Sequence, residues 1–219
     1  MRKIFIILSL IIIVLVMSAS IFFYFNQSRY NLRGNQIYNP PKEAVDFKLV
    51  DQNGSVINLS NFKGKVIVLT FIYTHCPDIC PVITKHLVDA YNKLVQMGLK
   101  DQVVIVFVSV DPYGDNVTAM KEYSERFNAS SLYFLTNNTA GLSTGLPSNL
   151  TDLRSIWNSY NIYVSINKTS IEEGWYEVDH TTVVYIIDKN FRLRVALFGV
   201  PPLWSTDDVV YDVNILAKS

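Results

Sequence analysis

The sequence predicts an α/β sandwich with a mixed central sheet, preceded by one helix that crosses a membrane. Three observations carry this. Residues 66–73 (VIVLTFIY) and 103–110 (VVIVFVSV) are continuous apolar runs rich in β-branched residues, and a segment of helical period lies between them. That is the pattern of buried strands joined by a crossover helix. Two further strand-like runs and a last helix close the chain, so that strands and helices alternate and then finish with a hairpin. Finally, residues 4–25 (IFIILSLIIIVLVMSASIFFYF) contain no charged side chain.

Twenty-two residues of helix span about 33 Å, enough to cross a hydrocarbon core. Arg2 and Lys3 precede the run, so the positive-inside rule places the N-terminus in the cytoplasm and the rest of the chain outside, as a single-pass protein of the cell membrane. Arg29 and Arg33, beyond the run, act against this orientation. The competing reading is a signal peptide cleaved at Ser18-Ala19-Ser20, but the run continues through aromatic residues 22–25 and exceeds an ordinary signal core. Asn-x-Ser/Thr triplets, among them those at Asn26, Asn58, Asn116, Asn128, Asn137, Asn149 and Asn167, agree with an outward placement without establishing it. Residues 26–45 are polar and contain Pro40-Pro41, the composition of a tether. The domain division is therefore an anchor over 1–25, a linker over 26–45 and a folded domain over 46–219.

Within the domain, residues 47–50 and 56–59 flank Asp51-Gln-Asn-Gly54, a hairpin signal. After the first buried strand, Ile83, Leu87, Ala90, Leu94 and Met97 step by 4, 3, 4 and 3, which gives a helix over 82–97 that Gly98 ends. Asp115 is placed to cap a helix carrying Val117, Met120, Tyr123 and Phe127 on one face. Residues 132–135 read as a short strand, 136–150 as a polar loop and 151–160 as a helix. Residues 182–187 and 192–198 pair around Asp188-Lys-Asn190, and a capping box from Ser205 to Asp208 opens the last helix. The arrangement fits a thioredoxin-type fold, which by itself specifies no function. Lys plus Arg and Asp plus Glu both total 19, so no net charge draws the chain to nucleic acid.

The only cysteines, Cys76 and Cys80, lie directly after the first buried strand in THCPDICP, where open α/β sheets bind ligands. Pro81 suits a first helical turn, which puts Cys80 at or near the N-cap. Both sulfurs then sit at a helix N-terminus, whose dipole favours thiolate, the form that binds metal and attacks disulfides. A purely structural disulfide is the plainer alternative, but closing so short a loop stabilises by only about 2 kcal/mol. Of the three histidines, His86 falls within the helix off its apolar face and His75 is too close to Cys76 for easy joint ligation. His180 stands just before a strand in VDHTT.

Three ordered motifs, TFIYTHCPDICPVIT at 70–84, SVDPYGD at 109–115 and VDHTTVVYIID at 178–188, resemble the SCO (SenC) copper chaperones over residues 44 to the C-terminus. The resemblance implies a thioredoxin-like domain on an N-terminal membrane anchor, serving the copper centre of cytochrome c oxidase. It implies copper, as Cu(I) or Cu(II), held by Cys76, Cys80 and His180, with Asp111 beside the site orienting or tuning a ligand. Its implied partners are the copper-binding subunit of the oxidase and a thiol reductant. Two thiolates and an imidazole suit copper on chemical grounds, though zinc accepts the same donors. Residues 137–152 are longer than the family's pattern. A thiol–disulfide oxidoreductase keeping the partner's cysteines reduced is the competing function; the three residues between Cys76 and Cys80 depart from the Cys-x-x-Cys of redox thioredoxins. In such reductases a cis-proline holds the place that motif alignment gives here to His180.

Overall fold

A computed structural model describes residues 9–20, 31–137, 153–166 and 176–219. The chain divides into a unit ending at Leu32 and a unit from Arg33 to Ser219. In the first unit, residues 9–20 form a helix, α1, whose apolar side chains are exposed. No helix among the described residues is long and apolar enough to cross a membrane. The remainder of the uncharged 4–25 run lies outside the described residues, as does the loop over 138–150.

The second unit is built on a six-stranded sheet in the order β1-β10-β9-β4-β5-β6. Its centre is β4 (Val66–Ile72) and β5 (Val103–Ser109), parallel to each other and buried at every residue. Continuous apolar sequence is what strands covered on both faces require. β6 (Tyr133–Leu135) extends the sheet in parallel beyond β5, and Phe107 stacks on Phe134 with ring centroids 4.4 Å apart. On the other side β9 (Val183–Ile187) runs antiparallel to β4, and β10 (Arg192–Phe198) antiparallel to β9. The sheet is therefore mixed, as the sequence predicts.

The edge beyond β10 departs from the expectation. β1 (Gln36–Glu43) pairs antiparallel with β10, so the second half of the stretch read as a tether belongs to the sheet. Its two prolines and exposed side chains gave it the composition of a linker, yet an edge strand tolerates both. The segment is fixed at its start by Asp212, whose carboxylate accepts from the backbone N–H groups of Arg33 and Gly34 at 2.7 and 3.0 Å. A small ribbon of β7 (Val164–Ile166) and β8 (Val178–His180) was also not foreseen. The hairpin at 47–59 forms as expected from β2 (Lys48–Val50) and β3 (Val56–Asn58).

Helix α2 (Ile79–Gln96) crosses from β4 to β5, buries Ile83, Leu87, Ala90 and Leu94, and ends where Gly98 takes a φ of 79°. α3 (Val117–Arg126) joins β5 to β6. Its cap is Asn116, whose side chain accepts from Ala119 N–H, and not Asp115 as the sequence predicts. Asp115 is buried and turned to other partners. α4 (Leu153–Ser159) sends its Trp157 indole N–H to the Ser109 carbonyl at the end of β5. α5 (Thr206–Ala217) packs against α2 and opens with the expected capping box, in which Ser205 accepts from Asp208 N–H and Asp208 accepts from Ser205 N–H. Replacing Ser205 by Ala should lower stability by about 1 kcal/mol in chemical denaturation, with no change in the spectrum of the native state.

Candidate metal centre

Two chain segments about a hundred residues apart meet at one end of the sheet. β4 and β9 are antiparallel neighbours, with Thr70 opposite Val184, and Thr70 Oγ1 donates to the Val183 carbonyl at 2.9 Å. The C-terminal end of β4 therefore lies beside the start of β9. Thr74 to Asp78 continue from the first, and Thr182, Thr181 and His180 precede the second. The structure brings Cys76, Cys80 and His180 together there.

Helix α2 begins at Ile79, three residues earlier than the sequence predicts, so Cys80 occupies its first turn, near the Asp78 cap. Cys80 is fully buried and Cys76 half-buried; both are free thiols. The Cys80 backbone N–H points at Cys76 Sγ, 3.3 Å away. The first amides of a helix have no partner within the helix, so an anion at this point satisfies one of them. His180 Nδ1 lies 3.0 Å from the Thr181 carbonyl, which can only accept. Nδ1 therefore carries the ring proton, and the Nε2 lone pair faces Cys80 Sγ at 3.8 Å. A backbone carbonyl on one imidazole nitrogen is how a metal-binding histidine is commonly held. The Tyr73 ring stands edge-on to the imidazole, 6.1 Å between centroids. A cavity of about 230 Å³, lined by Tyr73, Cys76, Asp78 and His180 among others, opens the site to solvent.

Electrostatics separates the two thiols. The hydrogen bond from the Cys80 thiol, helped by the backbone N–H groups of Cys80 and Asp78 and by Tyr73 and opposed by burial, pulls the Cys76 thiol down to about 5. The same hydrogen bond, with burial, pushes the Cys80 thiol far above the usual thiol range. At neutral pH the pair holds one negative charge, on the Cys76 sulfur. Burial lowers the His180 pKa, against the pull of the Thr181 carbonyl, so the imidazole is neutral.

Asp111 is fully buried, but its carboxylate hydrogen-bonds none of these three residues. Oδ1 accepts from Tyr113 and Gly114 N–H, and Oδ2 from the Tyr176 hydroxyl at 2.6 Å. Asp115, read from the sequence as a helix cap, is the residue that ties the rim together. It accepts from Thr74 N–H and Thr74 Oγ1 on one oxygen and from Ser109 Oγ on the other. Burial raises its pKa to about 7. The signal for it was an acid close behind an apolar strand, which sequence alone does not distinguish from a cap. His75 is exposed and turned toward Thr74 Oγ1 at 3.1 Å. His86 lies apart, against Thr206 Oγ1 at 2.8 Å and the Trp204 ring, where it links α2 to the start of α5.

The thiol asymmetry has a measurable consequence. In the reduced protein, iodoacetamide should modify Cys76 alone, at a rate that rises with pH through about 5 and is flat above 7, because its thiolate fraction is then complete. Cys80→Ala removes the largest stabilising hydrogen bond and should move that rise to higher pH. Mass mapping of the labelled protein checks both.

Comparison with known proteins points one way. The family described as SCO1/SenC matches residues 35–200. A mitochondrial SCO1 homologue of Arabidopsis thaliana is 34% identical over 176 residues, 78% of this chain and 47% of that protein, so the chain spans about half the length of that relative. The copper-bound structure of Bradyrhizobium japonicum ScoI is 27% identical and superposes with a TM-score of 0.63, over 80% of this chain and 99% of that one. The apo Sco1 protein of Thermus thermophilus is 31% identical with a TM-score of 0.66, over 86% and 99%.

Proposed function

Since the chain belongs to the SCO1/SenC family, we propose that it is a copper chaperone that takes copper as cargo on Cys76 Sγ, Cys80 Sγ and His180 Nε2 and passes it to the copper centre of cytochrome c oxidase. The single observation that carries this reading is the His180 Nε2 lone pair directed at Cys80 Sγ, beside a Cys76 thiol that is already ionised at neutral pH. Two sulfurs and one imidazole are a soft, low-coordinate donor set that suits Cu(I) and accepts Cu(II). Copper is bound in the similar ScoI structure, and that likeness selects it over zinc.

Each group has a part in loading. Cys76 offers its thiolate at the cavity mouth and needs no base. Cys80 holds a proton that the metal must displace, so capture releases acid. His180 arrives neutral and already turned, with Nδ1–H tied to Thr181. Asp115 and Ser109 hold Thr74, and so fix the turn that carries Cys76, without touching the metal. We place the chain in the membrane through residues 1–25, with the folded unit outside. The tether then shortens to about residues 26–35, because Gln36 already belongs to the sheet.

A second role draws on the thiol asymmetry. The Cys76 thiolate is placed to attack a partner's disulfide, forming a mixed disulfide and releasing one partner thiolate. The buried Cys80 thiol, on losing its proton, then attacks Cys76 Sγ, which releases the second partner thiol and leaves Cys76 and Cys80 joined. A thiol reductant is needed to reset the pair. Such exchange would keep the recipient's copper-site cysteines reduced, and so it complements transfer.

Copper titration of the reduced full chain tests the ligand set. One equivalent should bind. Cys76→Ser and Cys80→Ser should each weaken Cu(I) binding more than roughly 100-fold, beyond the 10–100-fold that loss of a supporting hydrogen bond causes. His180→Ala should weaken Cu(II) more than Cu(I), and His86→Ala should change neither. Tight binding that survives in Cys80→Ser, or unchanged Cu(II) affinity in His180→Ala, overturns the reading.

A further inference from the structure

Next to the thiol pair the structure holds a second cluster of donors of different chemical character. We propose that His75, Asp111 and Asp115 form a separate site for a divalent cation, one residue along the chain from Cys76. One ligand atom from each of the three lies within 4.8 Å of the others.

The carboxylates pose an electrostatic problem that the described residues do not solve. Asp111 and Asp115 are both fully buried. Neither takes part in an ion pair among the described residues, whose pairs all involve other acids. The guanidinium of Arg126 reaches this rim but donates to the Thr74 carbonyl at 3.2 Å. The donors that do meet the carboxylates are neutral: backbone amides and the hydroxyls of Thr74, Ser109 and Tyr176. Two buried like charges so close together are costly unless a proton or a cation offsets them. Burial first, and the neighbouring Asp111 charge last, raise the Asp115 pKa to about 7, so its charged form is disfavoured where no cation compensates it.

The second observation is the bare face of Gly114. A Cβ at this residue would lie 2.5 Å from Asp111 Oδ2, 2.8 Å from Tyr176 Oη and 3.2 Å from His75 Nδ1. Gly114 does not occupy the left-handed region, so its backbone does not demand glycine. Glycine is required because three polar atoms from three separate segments converge over it. Such convergence without a side chain between the atoms is the form of a cradle.

The hydrogen bonds also say how the imidazole would be freed. Thr74 Oγ1 has one proton, and it goes to Asp115 Oδ1 at 2.7 Å. Thr74 Oγ1 is therefore the acceptor from His75 Nδ1–H. If the ring proton moves to the other nitrogen of this exposed imidazole, an Nδ1 lone pair faces the carboxylates at no change in charge. The donor set is then one imidazole nitrogen and carboxylate oxygens, with the Tyr176 phenol adjoining. Mixed nitrogen and oxygen donors select divalent first-row cations such as Cu(II) or Zn(II), not Cu(I). The chain would thus offer hard and soft donors at neighbouring positions of one rim.

The test uses the full chain with the three proposed copper ligands replaced: Cys76→Ser, Cys80→Ser and His180→Ala. Its outcome is therefore independent of the reading above. Cu(II) alone is the probe, followed by electron paramagnetic resonance. One equivalent should bind with coupling to a single imidazole nitrogen and no sulfur-to-copper charge-transfer band. Adding His75→Gln or Asp111→Asn should weaken it by roughly tenfold or more, and adding His86→Gln should leave it unchanged. Circular dichroism monitors folding. Should that background unfold, the same comparison on the wild-type chain oxidised to the Cys76–Cys80 disulfide reads the loss of one equivalent on His75→Gln. Absence of a bound equivalent, or binding indifferent to His75→Gln and Asp111→Asn, overturns the proposal and leaves the buried pair neutralised by a proton.

Discussion

The antiparallel pairing of β4 with β9 is the constraint on which the site depends. A parallel neighbour would place the start of its strand at the far end of β4. Because β9 runs the other way, the segment entering it arrives where the segment leaving β4 departs, and the Thr70–Val184 register fixes how closely. Every residue of both strands is buried, so a one-residue slip of register would exchange the side chains of two packed faces and disrupt the packing on both. The positions of Cys76 and His180 are thereby tied to the stability of the core. Their placement at one rim therefore does not rest on the weak 3.8 Å approach of Cys80 to His180 alone.

On this frame the helix N-terminus decides the charge. Cys80 sits in the first turn of α2, so its amide is free to reach Cys76 Sγ, while its own thiol is buried behind. One sulfur is stabilised as an anion and the other is kept protonated by that anion. A rim with two thiolates, Asp111 and Asp115 all ionised would concentrate negative charge in a largely buried region. Holding protons on Cys80 and, near neutral pH, partly on Asp115 limits it. Binding of a cation here would then be coupled to proton release.

Much of this was legible in the sequence because the deciding signals are local. Continuous β-branched runs marked β4 and β5, the 3.6-residue period marked α2, and Ser205 with Asp208 marked the start of α5. Motif order joined Cys76, Cys80 and His180 although no local rule relates them. What was not legible depends on partners distant in sequence. β1 reads as a tether because its prolines and polar residues fit a linker as well as an edge strand; only the pairing with β10 and the anchoring by Asp212 decide. Asp115 reads as a cap because an acid before a helix has that meaning, and Asn116 takes the role once Thr74 and Ser109 claim the carboxylate. Asp111 was placed near the metal through the resemblance, and its hydrogen bonds to Tyr176 and the 113–114 amides follow from tertiary packing alone.

The central claim is that one metal is held by donors from both sides of the β4–β9 junction. X-ray absorption at the copper edge of the reduced, copper-loaded full chain addresses it directly. The account predicts two sulfur scatterers and one imidazole in the nearest shell, with the imidazole contribution absent in His180→Ala. A shell of nitrogen and oxygen alone, or an unchanged spectrum in His180→Ala, would contradict it.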